Sequence, residues 1–158
     1  AALGRDGVAV LDATSDHLEL QAIDEIWARA EGDPARFLEA HWDAVVTYSI
    51  VLHEGRHALD KAAGRFTSPQ LEYRAKLSQI ALSDAPRLGL ANIAAGPLGD
   101  TPHGKANRRI LEGYRAWMRR HRAEIAGFDA SHPTLTQLHL LSDAQIRAIA
   151  ASLDPWAR

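Results

Sequence analysis

The sequence contains no cysteine, no long hydrophobic run and no large excess of charge of either sign. Without cysteine there is no disulfide framework, no thiol nucleophile and no cysteine-based zinc finger, so a bound metal must be held by His, Asp or Glu. The uncharged, largely apolar stretch at residues 88–99 contains Gly and Pro and is too short to span a membrane. Lys and Arg number 18 against 20 Asp and Glu, which argues against a nucleic-acid partner bound through its phosphates.

The length and the abundance of alanine predict the fold class. The 158 residues are enough for one domain with a core, and no repeat or linker divides them. Because the chain begins with Ala1 rather than Met, we expect a single domain over residues 1–158, excised from a longer chain that contributes other domains. Alanine supplies 29 residues and β-branched residues are sparse, which favours helix. We expect an all-α fold or nearly so, with at most one short strand at residues 7–11.

Capping residues and prolines predict where the helices begin and end. Thr14 and Ser15 are candidate N-caps, and Ser142 with Gln145 has the spacing of a capping box. Gly64 is a typical helix stop. The predicted helices cover about residues 14–31, 34–63 with a break near Trp42 and Asp43, 68–82, 84–95, 105–126 and 142–153.

Residues 53–57 read His-Glu-Gly-Arg-His, which is the most specific chemical signal in the sequence. Residues four apart project from one face of a helix, so His53 and His57 can converge on one Zn²⁺. Glu54 is rotated from His53 by about 100°, so it misses the metal and can act as general base on a water beside it. In this composition the pattern has about 0.02 expected matches by chance. The apolar residues 44–46 and 50–52 predict that the motif lies on a largely buried helix.

Residues 51–59 resemble the active-site helix of the zincin metallopeptidases. Metzincins are excluded, because this chain has Asp60 and Ala63 where they carry a Gly and a third ligand. Aspzincins take their third ligand from a Gly-Thr-type motif that this sequence lacks. Gluzincins place a Glu on the following helix, and Glu72 has that position here. The resemblance therefore implies a gluzincin-like helical domain with the metal site on a central helix.

The same resemblance implies an activity. His53, His57 and Glu72 would bind Zn²⁺, and Glu54 would be the general base in the hydrolysis of a peptide or protein substrate. His103, in the loop before the longest helix, is a candidate donor to the oxyanion that forms during such a reaction. Tyr73 and Tyr114 are rival donors. Arginines within residues 108–122 form either a solvated face or an anchor for a substrate carboxylate.

Several features of the sequence also have simpler explanations. Glu72 and Lys76 are four residues apart and could form an ion pair on an exposed helix. Many gluzincins carry an Asp where this chain has Lys76, so another group, with Asp60 as a candidate, would support the zinc-bound His; Asp60 could equally be solvated. Two other functions stay open: a zinc-binding regulatory or interaction domain with little turnover, and a structural helical bundle in which the motif is coincidental.

Overall fold

The computed structural model describes residues 5–64 and 66–156, and in these ranges the chain is helical without a β-strand. This confirms the predicted all-α fold class. Each described helix is either too short or too polar to cross a lipid bilayer. The helices are α1 (Arg5–Arg29), α2 (Pro34–Val46), a π-helical segment (Thr47–Leu52), α3 (His53–Ala63), α4 (Ser68–Ala81), α5 (Pro86–Ala95), α6 (Pro102–Arg120) and α7 (Asp143–Leu153), with 3₁₀ turns at Arg122–Glu124 and Thr134–Leu140.

The first helix begins earlier than the sequence predicts, and the expected strand at residues 7–11 is part of it. Leu11 is buried and lies on the same stripe of α1 as Leu18 and Ile26, at helical spacing. Ser15 is not an N-cap but a buried residue whose hydroxyl donates to the carbonyl of Ala91. A short apolar run is compatible with strand or helix, and here the helical stripe that continues from Leu11 decides the outcome.

Most predicted helix starts agree with the structure. The Ser142 and Gln145 side chains form the predicted capping box of α7, and Gly64 ends α3 in the left-handed conformation with φ 64°. Helix α6 ends at Arg120, six residues before the predicted end. His121 has left the helical conformation there, and its ring stacks on Trp117.

The predicted break near Trp42 and Asp43 is absent, and a π-helical segment follows α2 instead. The backbone hydrogen bonds of a π-helix join residues five apart rather than four apart, which makes the turn wider, and such turns are frequent at functional sites. In this segment the Ser49 hydroxyl donates to the carbonyl of Val45 at 2.6 Å. Because the wide turn immediately precedes His53, it fixes how the His53–His57 face is rotated relative to α2.

The core is centred on α4, which packs against α3, α5, α6 and α7. Helix α3 buries only His57 and Asp60, and α2 and the π-helical segment bury no residue fully, so the prediction of a largely buried motif helix is wrong. The physical reason is that α2 meets the core only through partly buried side chains, such as Phe37 and Val45. Several large apolar side chains of this region are therefore exposed: Leu38, Trp42, Ile50, Val51 and Leu59.

Candidate metal centre

The α3–α4 hairpin brings together three side chains that the sequence predicts as metal ligands. Only residues 64–67 separate the two helices, with Gly64 ending α3 and Thr67 capping α4. The Nε2 atoms of His53 and His57 are 3.2 Å apart. Glu72 Oε1 lies 3.3 Å from His57 Nε2, and Glu72 Oε2 lies 3.6 Å from His53 Nε2. Among the described residues these three form the one group of His, Asp or Glu side chains arranged to hold a metal ion.

These three distances fit a tetrahedral zinc site. Zinc–nitrogen distances of about 2.0–2.1 Å with tetrahedral angles place neighbouring ligand atoms about 3.3 Å apart. The observed separations of 3.2, 3.3 and 3.6 Å are close to that edge length. Two imidazoles and one carboxylate are also a donor set found in catalytic zinc sites, which leave the fourth position open. The chemistry and the spacing of the donors therefore both suit Zn²⁺.

The polar atoms of the centre are incompletely satisfied by the protein. Glu72 Oε2 is buried without a hydrogen bond, although His103 Nδ1 lies 3.0 Å from it. The two histidine Nε2 atoms can share one proton or one metal ion, and a metal would satisfy both of them and the carboxylate together. His57 Nδ1 is also buried without a described acceptor.

Gln79 positions His53 and was not predicted from the sequence. Its Oε1 accepts a hydrogen bond from His53 Nδ1 at 3.0 Å, and because an amide oxygen can only accept, Nδ1 must carry the proton. That tautomer leaves Nε2 free to bind a metal. Burial also lowers the pKa of His53, which favours the neutral ring. The available signal was a polar residue seven positions after Glu72, on the same face of α4.

Removing this support should weaken zinc binding. We expect Gln79→Leu to raise the Kd for zinc by about 10- to 100-fold, because the ring and tautomer of His53 lose their orienting partner. Gln79→Glu supplies a carboxylate acceptor and should keep the affinity near that of the unmodified chain. Competition with a chelating dye measures both constants. If Gln79→Leu binds zinc as tightly as the unmodified chain, the hydrogen bond does not support the centre.

Asp60 has neither of the roles considered for it in the sequence. It is buried, and its Oδ2 accepts from Arg74 Nε at 2.7 Å and from Arg56 Nε at 3.2 Å. Arg74 also donates to Asp154 at 3.0 Å, so this network joins α3, α4 and the end of the described chain. Asp60 is therefore an anchor between the two helices of the centre rather than a solvated residue or a partner of a ligand histidine.

Glu54 and His103 both face solvent. Glu54 is exposed on α3 and makes no hydrogen bond or ion pair with the described residues, so its carboxylate is free to act on a substrate or water. His103, 56% exposed, stands beside the centre through its contact with Glu72. The rival donors are directed elsewhere, because Tyr73 donates to the carbonyl of Leu153 and Tyr114 to that of Ile146.

The alternative role for Glu72, an exposed ion pair with Lys76, is wrong. The Glu72 side chain is 14% exposed, Lys76 is buried, and the two charged groups do not come within 4.0 Å of each other. The carboxylate instead points at the two histidines of the motif.

Comparison with models of known protein families, with curated proteins and with solved structures finds no match to this chain.

Proposed function

We propose that this protein is a zinc-dependent metallopeptidase of the gluzincin type. The observation that supports it best is the convergence of the His53, His57 and Glu72 ligand atoms within 3.2–3.6 Å of one another. Three protein ligands, with the fourth position left to solvent, are typical of catalytic rather than structural zinc. Bound Zn²⁺ would supply a Lewis acid that lowers the pKa of water and polarises a carbonyl group.

The residues around the centre have different roles in the proposed reaction. Glu54, one position after His53 and exposed, accepts a proton from the attacking water and passes it to the leaving amine. His103 would donate to the oxyanion of the tetrahedral intermediate, and its exposed ring, with Nδ1 3.0 Å from Glu72 Oε2, supports this role. Gln79 keeps His53 in the tautomer that binds metal.

A second function is favoured by the exposed apolar side chains before and within the motif helix. Trp42, Ile50 and Val51 are each more than half exposed, which is typical of interaction surfaces when such residues lie together. The described residues also contain no strand that could pair with a substrate backbone. The alternative is therefore a zinc-binding regulatory or interaction domain with little or no turnover.

Metal content and hydrolysis separate these functions. Elemental analysis should find about one zinc per chain, and the loaded protein should cleave members of an unbiased peptide library, as read by mass spectrometry. A chelator should abolish cleavage, and added zinc should restore it. Zinc without cleavage would favour the interaction domain, and absence of zinc binding would contradict both functions.

A further inference from the structure

Lys76 is a buried cation without a partner. It is 6% exposed, and it makes no hydrogen bond or ion pair with the described residues. Its ammonium nitrogen is not completely enclosed and keeps some contact with solvent. Because the side chain is almost entirely enclosed, its charge is only partly solvated, and burial lowers the pKa of Lys76. Such a group is seldom kept for stability alone, because an apolar residue would fit the same site at lower cost.

The position of Lys76 connects it with the metal centre. Glu72, Lys76 and Gln79 are spaced at i, i+4 and i+7, so they lie on one face of α4. The residues on either side of Lys76 in this row both contact the motif, Glu72 with both histidines and Gln79 with His53. After burial, the positive charge of Lys76 adds to the lowering of the pKa of His53, and the carboxylate of Glu72 opposes the lowering of the pKa of Lys76 by burial. Lys76 therefore flanks the metal ligands along α4.

The charges of this face favour an anionic ligand. Zn²⁺, Glu72 and Lys76 together would carry a formal charge of about +2, or about +1 with Glu54 included, and the side chains of Glu72 and Lys76 are largely shielded from solvent. We propose that Lys76 binds a carboxylate of the substrate next to the metal, which makes the site selective for peptides that carry a carboxylate near the scissile bond. This inference rests on the proposed peptidase function, and it names Lys76 as the residue that determines specificity.

The arginines considered above as anchors for a substrate carboxylate either contact other groups of the protein or line a different pocket. Arg109 stacks on the ring of Tyr73 at 4.0 Å, and Arg108 donates to the carbonyl of Leu98. Arg119 and Arg122 line a separate pocket of about 290 Å³ near the end of α6. Lys76 is the cation that shares its helix face with the metal ligands.

The test uses matched pairs of zinc-binding hydroxamates. The two members of a pair differ only in ending with a carboxylate or a carboxamide, and a spacer of two to four carbons separates this end from the hydroxamate. Calorimetry on the zinc-loaded chain should show that the best carboxylate probe binds about 10- to 100-fold more tightly than its carboxamide. Lys76→Met should remove this preference and leave carboxamide binding unchanged. Lys76→Arg should keep most of the preference, and Lys61→Met, at an exposed site on α3, should change neither constant.

A second measurement, the Tm of the zinc-free protein, does not depend on bound metal. Lys76→Met removes an unpaired buried charge, so the Tm of the zinc-free variant should rise by about 2–4 °C. A lower Tm, or equal weakening of both probes, would mean that Lys76 has a structural role and would overturn the inference. Equal binding of both probes by the unmodified chain would also overturn it while leaving the peptidase proposal intact. If neither hydroxamate binds, the proposed function fails, and this inference fails with it.

Peptides identify the source of the carboxylate. If the substrate C-terminus is bound, amidation of that terminus should abolish the effect of Lys76 on cleavage. If an acidic side chain is bound, replacing Asp or Glu beside the scissile bond by Asn or Gln should do so instead. An effect of Lys76→Met that survives both changes would contradict a carboxylate ligand.

Discussion

Replacing Glu54 by glutamine should leave one zinc per chain and lower kcat/KM by a factor of about 10²–10⁴, the usual contribution of a general base. Glutamine keeps the shape of the side chain and removes its ability to accept the proton. The structure makes this a clean substitution, because Glu54 is exposed and has no described partner that the change would disturb. The measurements are zinc content, Tm and the rate of cleavage of the best library peptide.

The matched control for Glu54→Gln is Glu112→Gln, an exposed position on α6, which should leave zinc content and cleavage unchanged. Two results would contradict the role of Glu54 in different ways. If Glu54→Gln loses zinc, the carboxylate is a ligand or a support of the ligands. If the variant keeps both zinc and full activity, the cleavage observed does not use this centre.

Removing one metal ligand should have the second large effect. Structural zinc sites with four ligands bind with about 10–16 kcal/mol, so one ligand contributes on the order of 10²–10³-fold in affinity. His53→Ala and His57→Ala should therefore lose zinc during dialysis. Glu72→Ala should weaken binding strongly and Glu72→Gln somewhat less, since an amide oxygen remains. Zinc content after dialysis and competition with a chelating dye measure these effects.

His132→Ala is the control for the ligand variants, because the side chain of His132 is 66% exposed and lies far from α3 in sequence. It should retain zinc fully. Full zinc in both His53→Ala and His57→Ala would place the metal elsewhere. Unchanged affinity in both Glu72 variants would exclude Glu72 as a ligand, and His103, the neighbour of its carboxylate, would be the next residue to replace.

The convergence of His53, His57 and Glu72 was predictable from local signals in the sequence, because it depends on helix periodicity and one short connection. His53 and His57 converge because they are four residues apart on α3, and Glu72 returns to them because the connection after Gly64 is short. The start of α7 was equally predictable, since Ser142 and Gln145 cap it through contacts three residues apart. These features need no information about distant parts of the chain.

The errors concern features that only tertiary packing decides. The sequence of residues 7–11 is compatible with a strand or a helix. Only the packing of the apolar side chains of α1, from Leu11 onward, against the core favours the helix. Gln79 becomes a partner of His53, and Lys76 becomes buried, only once α4 occupies the centre of the bundle. The apolar residues 44–46 and 50–52 predicted a buried motif helix, but Ile50 and Val51 are each more than half exposed.

The compactness of the α3–α4 hairpin has a consequence for folding order. All three proposed ligands lie within 20 consecutive residues, His53–Glu72, so bringing them together closes a short loop at small entropic cost. Contacts of such low sequence separation form early, whereas the pairing of Arg74 with Asp154 spans 80 residues and must form later. During synthesis from the N-terminus, all three of these residues have been made once residue 72 is added, when fewer than half of these 158 residues have been made. Long-range ion pairs, such as that of Arg74 with Asp154, then form after the α3–α4 hairpin.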